Sequence, residues 1–376
     1  MIESKFILEE SQKTRLRILE SYIKKMEAVS PLNETQLFVI EGNKLTIYGY
    51  GNGTLGSGYL EMDFVVSSTD SFVFSCKLSE FLVFINKLEG APILITLRDN
   101  TNLVFQKSGQ KSTVFTKTVL ATVEDEVEEV KNAIKDWETT SLSSATEVDL
   151  SKSHTTLETA ASLLSLLGTN RTLKIEGGVV RAVDDCSIIG FKTDITASFE
   201  MTAPAVKLLH EIDRILIDGR TVYADAKLYS LKLLFIQEET KWQCPTDDEI
   251  KELSPSDERK CTAEISADAL FKAFDEFKGI FVPARWQYKQ VRVTPGNDIW
   301  QLHFDDMVTS IDSELPVSGQ APECSFMLPF MHLDQLSDML KGQQLKVEFS
   351  PSPDEVVVSF IPENGFDNLI ITKLQD

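Results

Sequence analysis

One local pattern occurs six times along this chain: a short alternating strand, a polar break, then an amphipathic stretch of about a dozen residues. The first copy is Lys5-Phe6-Ile7-Leu8, followed by Leu16, Ile18, Leu19, Tyr22, Ile23 and Met26 on one helical stripe within 14–26. The second is Phe72-Val73-Phe74-Ser75-Cys76, then Leu78, Phe81, Leu82, Ile85 and Leu88. The third is Glu147-Val148-Asp149-Leu150, then Leu157, Ala160, Ala161, Leu164 and Leu167. The fourth is Ala197-Ser198-Phe199-Glu200-Met201, then Ala205, Leu208, Leu209 and Ile212. The fifth is Cys261-Thr262-Ala263-Glu264-Ile265, then Leu270, Phe271, Phe274 and Phe277. The sixth is Ser325-Phe326-Met327-Leu328, then Leu333, Leu336, Met339 and Leu340. Each change from a period of two to one of 3.6 marks a strand feeding a helix.

Between the helical stripes lie further alternating, β-branched runs such as Lys44-Leu45-Thr46-Ile47-Tyr48, Ile93-Leu94-Ile95-Thr96-Leu97 and Gln344-Leu345-Lys346-Val347-Glu348-Phe349. Two repeats together make a domain of two helices on antiparallel strands, so the fold class is α+β. Two acidic linkers then divide the chain into three tandem domains. The expected division is domain one over 1–122, a linker over 123–145, domain two over 146–245, a second linker over 246–258 and domain three over 259–376. Within the first linker Val123, Val127, Val130, Ile134 and Trp137 have helical spacing, which predicts a short surface helix.

Charge narrows the function. With 37 basic and 58 acidic side chains the net charge is −21, the opposite of what non-specific coating of nucleic acid requires. A local basic surface on an acidic body is still compatible with it. No apolar run approaches the length of a spanning helix, and Met1-Ile2-Glu3-Ser4-Lys5 opens no secretory signal. The five cysteines, without C-x-x-C spacing, read as free thiols in a reducing compartment. The expectation is a cytoplasmic protein, in a bacterial or an infected host cell, with no membrane partner.

The sequence offers little chemistry. Gly51-Asn52-Gly53-Thr54-Leu55-Gly56 matches the dinucleotide fingerprint, but a strand over 59–66 follows where the fingerprint needs a helix. It reads as a hairpin turn. His154, His210, His303 and His332 are far apart and have no companion at metal-ligand spacing. There is no phosphate-binding loop and no nucleophile elbow. The expectation is no enzyme, no cofactor and no metal.

The basic charge is unevenly placed. Residues 11–26 carry Lys13, Arg15, Arg17, Lys24 and Lys25 against the single acid Glu20. A second cluster runs from Arg285 through Lys289 to Arg292, with Trp286 and Tyr288 interleaved. Lys207 and Arg214 lie seven apart, on one face of the fourth expected helix. Such faces suit phosphates without reading sequence, and they equally suit plain solvation.

Six strand–helix units in three like domains resemble the DNA polymerase sliding clamp of bacterial type. Ile134-Lys135-Asp136-Trp137 before Glu147-Val148-Asp149-Leu150 is similar to that family's first domain junction, and Trp242-Gln243-Cys244-Pro245 to its second. Leu333-Asp334-Gln335-Leu336, the 345–349 strand and the closing Asn368-Leu369-Ile370-Ile371-Thr372-Lys373-Leu374 resemble its last helix and strands. The resemblance implies a DNA clamp fold and a head-to-tail homodimeric ring. The ring would encircle duplex DNA without reading sequence, tether a DNA polymerase, and be opened by a clamp loader ATPase. It implies DNA-facing Lys13, Arg15, Arg17, Lys24, Lys25, Lys207, Arg214, Arg285 and Lys289. It also implies a partner-peptide pocket of Val183, Cys186, Ser187, Ile188, Pro245, His332, Ile370, Thr372 and Leu374, closed by the C-terminal strand. The chain departs from the family at Asp185-Cys186-Ser187-Ile188, where bacterial clamps have Gly-His-Arg-Leu, and such divergence would suit a phage-encoded clamp. The competing reading is a structural or assembly protein, such as a virion component, built from repeated α+β modules.

Overall fold

The computed structural model describes residues 3–51, 58–88, 90–109, 114–122, 124–167, 172–183, 187–237, 245–246, 248–250, 261–278, 290–305, 310–320, 325–329, 333–334, 336–351, 356–363 and 366–372. One half-motif, a strand, a helix and three strands, recurs throughout. The first two copies are β1 (Glu3–Leu8), α1 (Glu10–Glu27), β2 (Gln36–Glu41), β3 (Lys44–Tyr50) and β4 (Gly58–Ser68), then β5 (Ser71–Cys76), α2 (Leu78–Lys87), β6 (Ile93–Arg98), β7 (Asn102–Lys107) and β8 (Val114–Thr118). The two-residue β9 (Leu120–Ala121) and α3 (Glu124–Ser141) follow. The next copies are β10 (Thr146–Asp149), α4 (His154–Leu167), β11 (Thr172–Glu176), β12 (Val179–Val183) and β13 (Ser187–Lys192), then β14 (Phe199–Thr202), α5 (Ala203–Leu208), β15 (Arg214–Asp218), β16 (Thr221–Ala226) and β17 (Leu231–Ile236). The last are β18 (Cys261–Ser266), α6 (Ala267–Lys278), β19 (Gln290–Thr294), β20 (Ile299–Asp305) and β21 (Ser310–Gly319), then β22 (Phe326–Pro329), α7 (Ser337–Leu340), β23 (Gln344–Pro351), β24 (Val356–Pro362) and β25 (Phe366–Thr372).

The helical stripes are the buried faces. In α1 the buried apolar residues are Leu16, Leu19, Tyr22, Ile23 and Met26, three and four apart. In α6 they are Ala267, Leu270, Phe271, Ala273, Phe274 and Phe277. Lys24 and Lys25 in the last turn of α1 also oppose the negative end of its dipole.

Contacts divide the chain into two compact units, 1–151 with 207–239, and 152–206 with 240–376. The first unit holds a 13-stranded antiparallel sheet in which β4 pairs β17, Leu60 opposite Leu233 and Tyr59 opposite Leu234. Its core includes Phe38 stacked on Phe74 at 4.7 Å, with Phe81 tilted against Phe38. The second unit holds a 12-stranded sheet in which β13 pairs β25, Ile188 opposite Ile370. Trp300 is fully buried there, its ring edge-on to Phe326 at 5.6 Å. The residues expected to form a middle domain are shared between the two units, 146–151 and 207–239 lying in the first and 152–206 in the second.

Three elements differ from the sequence reading. The fourth helix is only six residues long. Ile212 lies beyond it, its N–H donating to Leu209 O at 2.9 Å, and Arg214 opens β15. The alternating, β-branched run from Arg214 to Asp218 takes those residues into the sheet, while Leu208, Leu209 and Ile212 are still buried. The sixth helix is one turn, although Leu333, Leu336 and Leu340 are fully buried. The first linker, by contrast, is an 18-residue helix, with Val123 of its expected stripe outside the described residues. In the second linker Thr246 and Glu249 cap each other: Glu249 Oε2 accepts from Thr246 N–H at 2.7 Å and Thr246 Oγ1 from Glu249 N–H at 3.3 Å. The fingerprint opens at Gly51, at the end of β3 and beside antiparallel β4, while its Gly53 and Gly56 lie outside the described residues. Tyr50 sits opposite Tyr59, and Gly51 N–H donates to Gly58 O at 3.0 Å.

Candidate nucleic-acid face and strand edges

Glu10, Thr14, Arg17, Ser21 and Lys24 form the solvent stripe of α1, spaced three and four apart opposite its buried face. Asn86 and Lys87 of α2 are exposed too, and Arg17 Nη2 donates to Asn86 Oδ1 at 2.8 Å, joining the two helices. Lys24 pairs with Glu20 at 3.0 Å, and Lys25 lies over the Tyr22 ring, 5.4 Å from its centroid. Burial pushes the Tyr22 hydroxyl above the usual phenol range, with Glu211 adding to the effect. The outward surface of this stripe and of the end of α2 is therefore polar and modestly cationic.

Two of the expected phosphate contacts do not belong to it. Lys13 is 3% exposed. Its ammonium donates to Leu88 O and Ala91 O, both at 3.1 Å, and pairs with Glu10. That hydrogen bond to Lys13 comes first among the causes holding the Glu10 carboxyl below its usual range. Lys13 is thus a structural cation that closes the C-terminal end of α2. Arg15 is half-buried, its guanidinium 5.5 Å from the Phe64 ring centroid and donating to Tyr229 O. Periodicity could have excluded Lys13: it falls three residues before Leu16 and six before Leu19, on the buried face.

The remaining cations are scattered. Lys207 is exposed in α5, and Arg214 is not on that helix but on β15, 3.5 Å from Glu147 with both side chains heavily exposed. Arg285 and Lys289 lie outside the described residues. The exposed positions of α6 are Asp268, Lys272, Asp275, Glu276 and Lys278, three acids against two cations, so that helix is not a cationic face. Sequence reasoning missed Thr14, Ser21 and Asn86, which carry no charge and gave no signal.

Of the expected peptide pocket, Val183 and Ile188 sit opposite each other on β12 and β13, and Ile188 is opposite Ile370 on β25. Ser187 pairs with Ile371, and Thr372 with Val357 on β24. Val183 and Ile188 are each 4% exposed, and Pro245 is half-buried. Cys186, His332 and Leu374 lie outside the described residues. Among the described residues no group of three or more His, Cys, Asp or Glu could hold a metal ion, and no helix is long and apolar enough to cross a membrane.

The strand edges have a regularity of their own. The last strands of the six half-motifs are β4, β8, β13, β17, β21 and β25. β4 pairs β17, and β13 pairs β25, so an odd-numbered half-motif joins the even-numbered one three further along. Among the described residues β8 pairs only β7, and β21 pairs β20 over 310–316 but β18 only over 317–319. β4 has the same design: it meets β1 over 66–68 and leaves 58–62 for β17. β8 carries exposed Val114, half-buried Phe115 against Phe84 at 5.9 Å, and Lys117 paired with Glu80. β21 carries exposed Asp312 and Glu314, and Ser313 donates to Glu276 at 3.0 Å.

Repeated halves of one strand, one helix and three antiparallel strands, joined edge to edge through their last strands, make this a clamp fold. The solved structures it matches are bacterial DNA polymerase III beta subunits, the sliding clamps. The Borrelia burgdorferi beta subunit matches with a TM-score of 0.70 at 13% identity, over 99% of this chain and 100% of that one. The Caulobacter crescentus beta sliding clamp matches at 0.70 and 13%, over the full length of both chains. The Bacillus subtilis sliding clamp matches at 0.68 and 14%, again over both full lengths. No protein-family model matches the sequence, and no curated protein matches it.

Proposed function

We propose that this protein is a DNA sliding clamp: a non-enzymatic processivity factor that encircles duplex DNA, tethers a DNA polymerase and is opened by a loader ATPase. The observation that carries the reading is the strand-edge rule. Half-motif one joins four and three joins six, so the fifth, ending in β21, calls for an eighth. The eighth half-motif is the second half of a following copy, whose last strand is β8. Head-to-tail self-association satisfies both open edges, and closure after two copies gives a ring of six like domains. The division into three domains per chain belongs to this reading.

The chemistry of the two edges supports it. β8 offers an apolar centre of Val114 and Phe115 with Lys87 and Lys117 around it, and β21 offers Asp312 and Glu314. Opposite charge across such a joint sets partner and direction. Encirclement also explains how a chain of net charge −21 can act on DNA, since a topological tether needs only weak phosphate contacts. In this reading the DNA-facing cations are Arg17, Lys24 and Lys25, with Lys207, Arg214, Arg285 and Lys289. The peptide site for the polymerase and other partners lies at Val183, Ile188, Pro245 and Ile370, with Cys186, Ser187, His332, Thr372 and Leu374.

The test is retention on circular against linear duplex DNA, with a cognate loader and ATP supplied. Retention on the circle that is lost when the DNA is cut is the expected result. Equal, salt-sensitive retention on both forms is ordinary electrostatic binding, and with retention on neither it would refute the clamp reading.

A further inference from the structure

The segment between β9 and β10 is acidic, yet it is not a loose tether. α3 lays Val127, Val130, Ile134 and Trp137 against the face of the first unit's sheet that carries Leu37, Val39, Tyr48 and Tyr59. The residues beneath come from both sides of one seam: Leu37, Val39 and Tyr48 on β2 and β3, and Tyr223 and Leu234 on β16 and β17. Tyr59, on the seam strand β4, lies between them, its ring edge-on to Trp137 at 5.9 Å.

Polar ties fix the helix at several points along its length. Near its middle, Lys131 pairs with Glu41 of β2 at 2.6 Å. Towards its end, Glu138 accepts the Tyr59 hydroxyl. Beyond it, Ser144 donates to Asp218 of β15 at 2.6 Å. Lys232 of β17, whose charge Glu138 feels, pairs with Glu61 of β4 at 2.7 Å, one charge on each side of the seam. Without the helix, five cross-strand positions, 58–62 against 231–235, would carry the joint with little beside them, among the described residues, but the Arg15 bond to Tyr229 O and that of Asp63 N–H to Ser230 O. A two-strand edge contact of that length is marginal unless an apolar face is covered.

We propose that α3 is a strap that locks the β4–β17 seam, turning a joint between like half-motifs into a rigid body. Its acidic face is simply the solvated side of that strap. In the sliding-clamp reading, on which this clause rests, opening of the ring then falls to a joint other than β4–β17.

Hydrogen exchange on the intact chain tests the strap directly. The variant is Trp137→Ala, with exposed Asp136→Ala as control, and the peptides followed cover 58–62 and 231–235, with 93–107 of the same unit as internal reference. The expected result is exchange at both seam strands faster by about ten-fold or more in Trp137→Ala, with the reference and the control unchanged. Unchanged protection at the seam overturns the proposal. So does equal acceleration of seam and reference, which would make Trp137 a general core residue. Should Trp137→Ala not fold, Trp137→Leu, which keeps part of the apolar contact, carries the same comparison. No DNA, loader or second copy enters this measurement, so its outcome is separate from retention on circular DNA.

Discussion

Replacing Lys13 by Met separates a cation that holds the fold from cations that face solvent. The substitution keeps the length of the aliphatic stem and deletes only the ammonium. Lys13 is almost completely buried, and its ammonium serves two carbonyls, at Leu88 and Ala91, from 3.1 Å. Losing a charged donor to a buried acceptor costs about 1.5–3 kcal/mol. The Ala91 carbonyl is only part-buried and can recruit water, and Glu10 is half exposed and can be resolvated, so the second bond and the ion pair count for less. The ammonium also sits at the C-terminal end of α2, where a cation stabilises by about 0.3–1 kcal/mol. Together these predict a loss of about 2–4 kcal/mol for Lys13→Met. Urea unfolding followed by circular dichroism reads it as a lower midpoint at unchanged slope. Arg17→Met, on the solvent stripe, should change stability by no more than about 0.5 kcal/mol. If Lys13→Met also stays within that limit, the ammonium is solvated and the buried network described here is wrong. On DNA the order should reverse: Arg17→Met lowers the salt dependence of retention, and folded Lys13→Met keeps it.

Glu138 is the protonation-sensitive point of the strap. Burial raises its carboxyl above the ordinary carboxylate range, opposed by Lys232 and reinforced by Asp225. A raised folded value means that its contribution is fully present below the unfolded value near 4.5 and is lost as pH rises through the folded one. Glu138→Gln keeps an acceptor for the Tyr59 hydroxyl, so urea midpoints should be flatter with pH above 4.5 and no lower at pH 7. A steeper fall in the variant would exclude burial as the dominant cause. Gly319→Ala should destabilise by about 2 kcal/mol or more, because Gly319 has φ +110° and an added Cβ would lie 2.5 Å from Thr262 O. Thermal melts that match the native chain would refute that geometry. Thr116→Pro, on the open edge of β8, should leave the melting temperature within a few degrees but reduce the mass by light scattering from about twice 42.2 kDa to 42.2 kDa. A dimer that persists would move the self-association elsewhere.

The six-fold repetition was legible because each half-motif changes period sharply, as where Phe72-Val73-Phe74 gives way to Leu78, Phe81, Leu82 and Ile85. The lengths of α5 and α7 were not. Apolar residues at helical spacing are buried just as well by a single turn and a coil, as Leu209, Ile212 and Leu333 are. The linker helix was visible as a stripe, but its role depended on β4 meeting β17 across about 170 residues of sequence, which no local pattern encodes. The charged site was half legible. Clustering of cations says where charge is, whereas accessibility depends on what packs over each position, and Lys13 lies beneath Leu88 and Ala91 while Arg17, one turn on, is exposed. The uncharged neighbours Thr14, Ser21 and Asn86 had no sequence signature at all.

The pairing of the first half-motif with the fourth, and of the third with the sixth, also sets an order of events on the ribosome. β4 is complete once residue 68 has emerged, but its partner β17 ends at residue 236. β13 waits similarly for β25, which ends at residue 372. At about 5–20 residues per second, β4 presents an unsatisfied edge for roughly ten to thirty seconds of translation. Such an edge is a template for the β4 of a neighbouring nascent chain. A truncation between β4 and β17 would make that exposure permanent, so incomplete chains of this protein should be markedly more prone to aggregate than chains that reach β17.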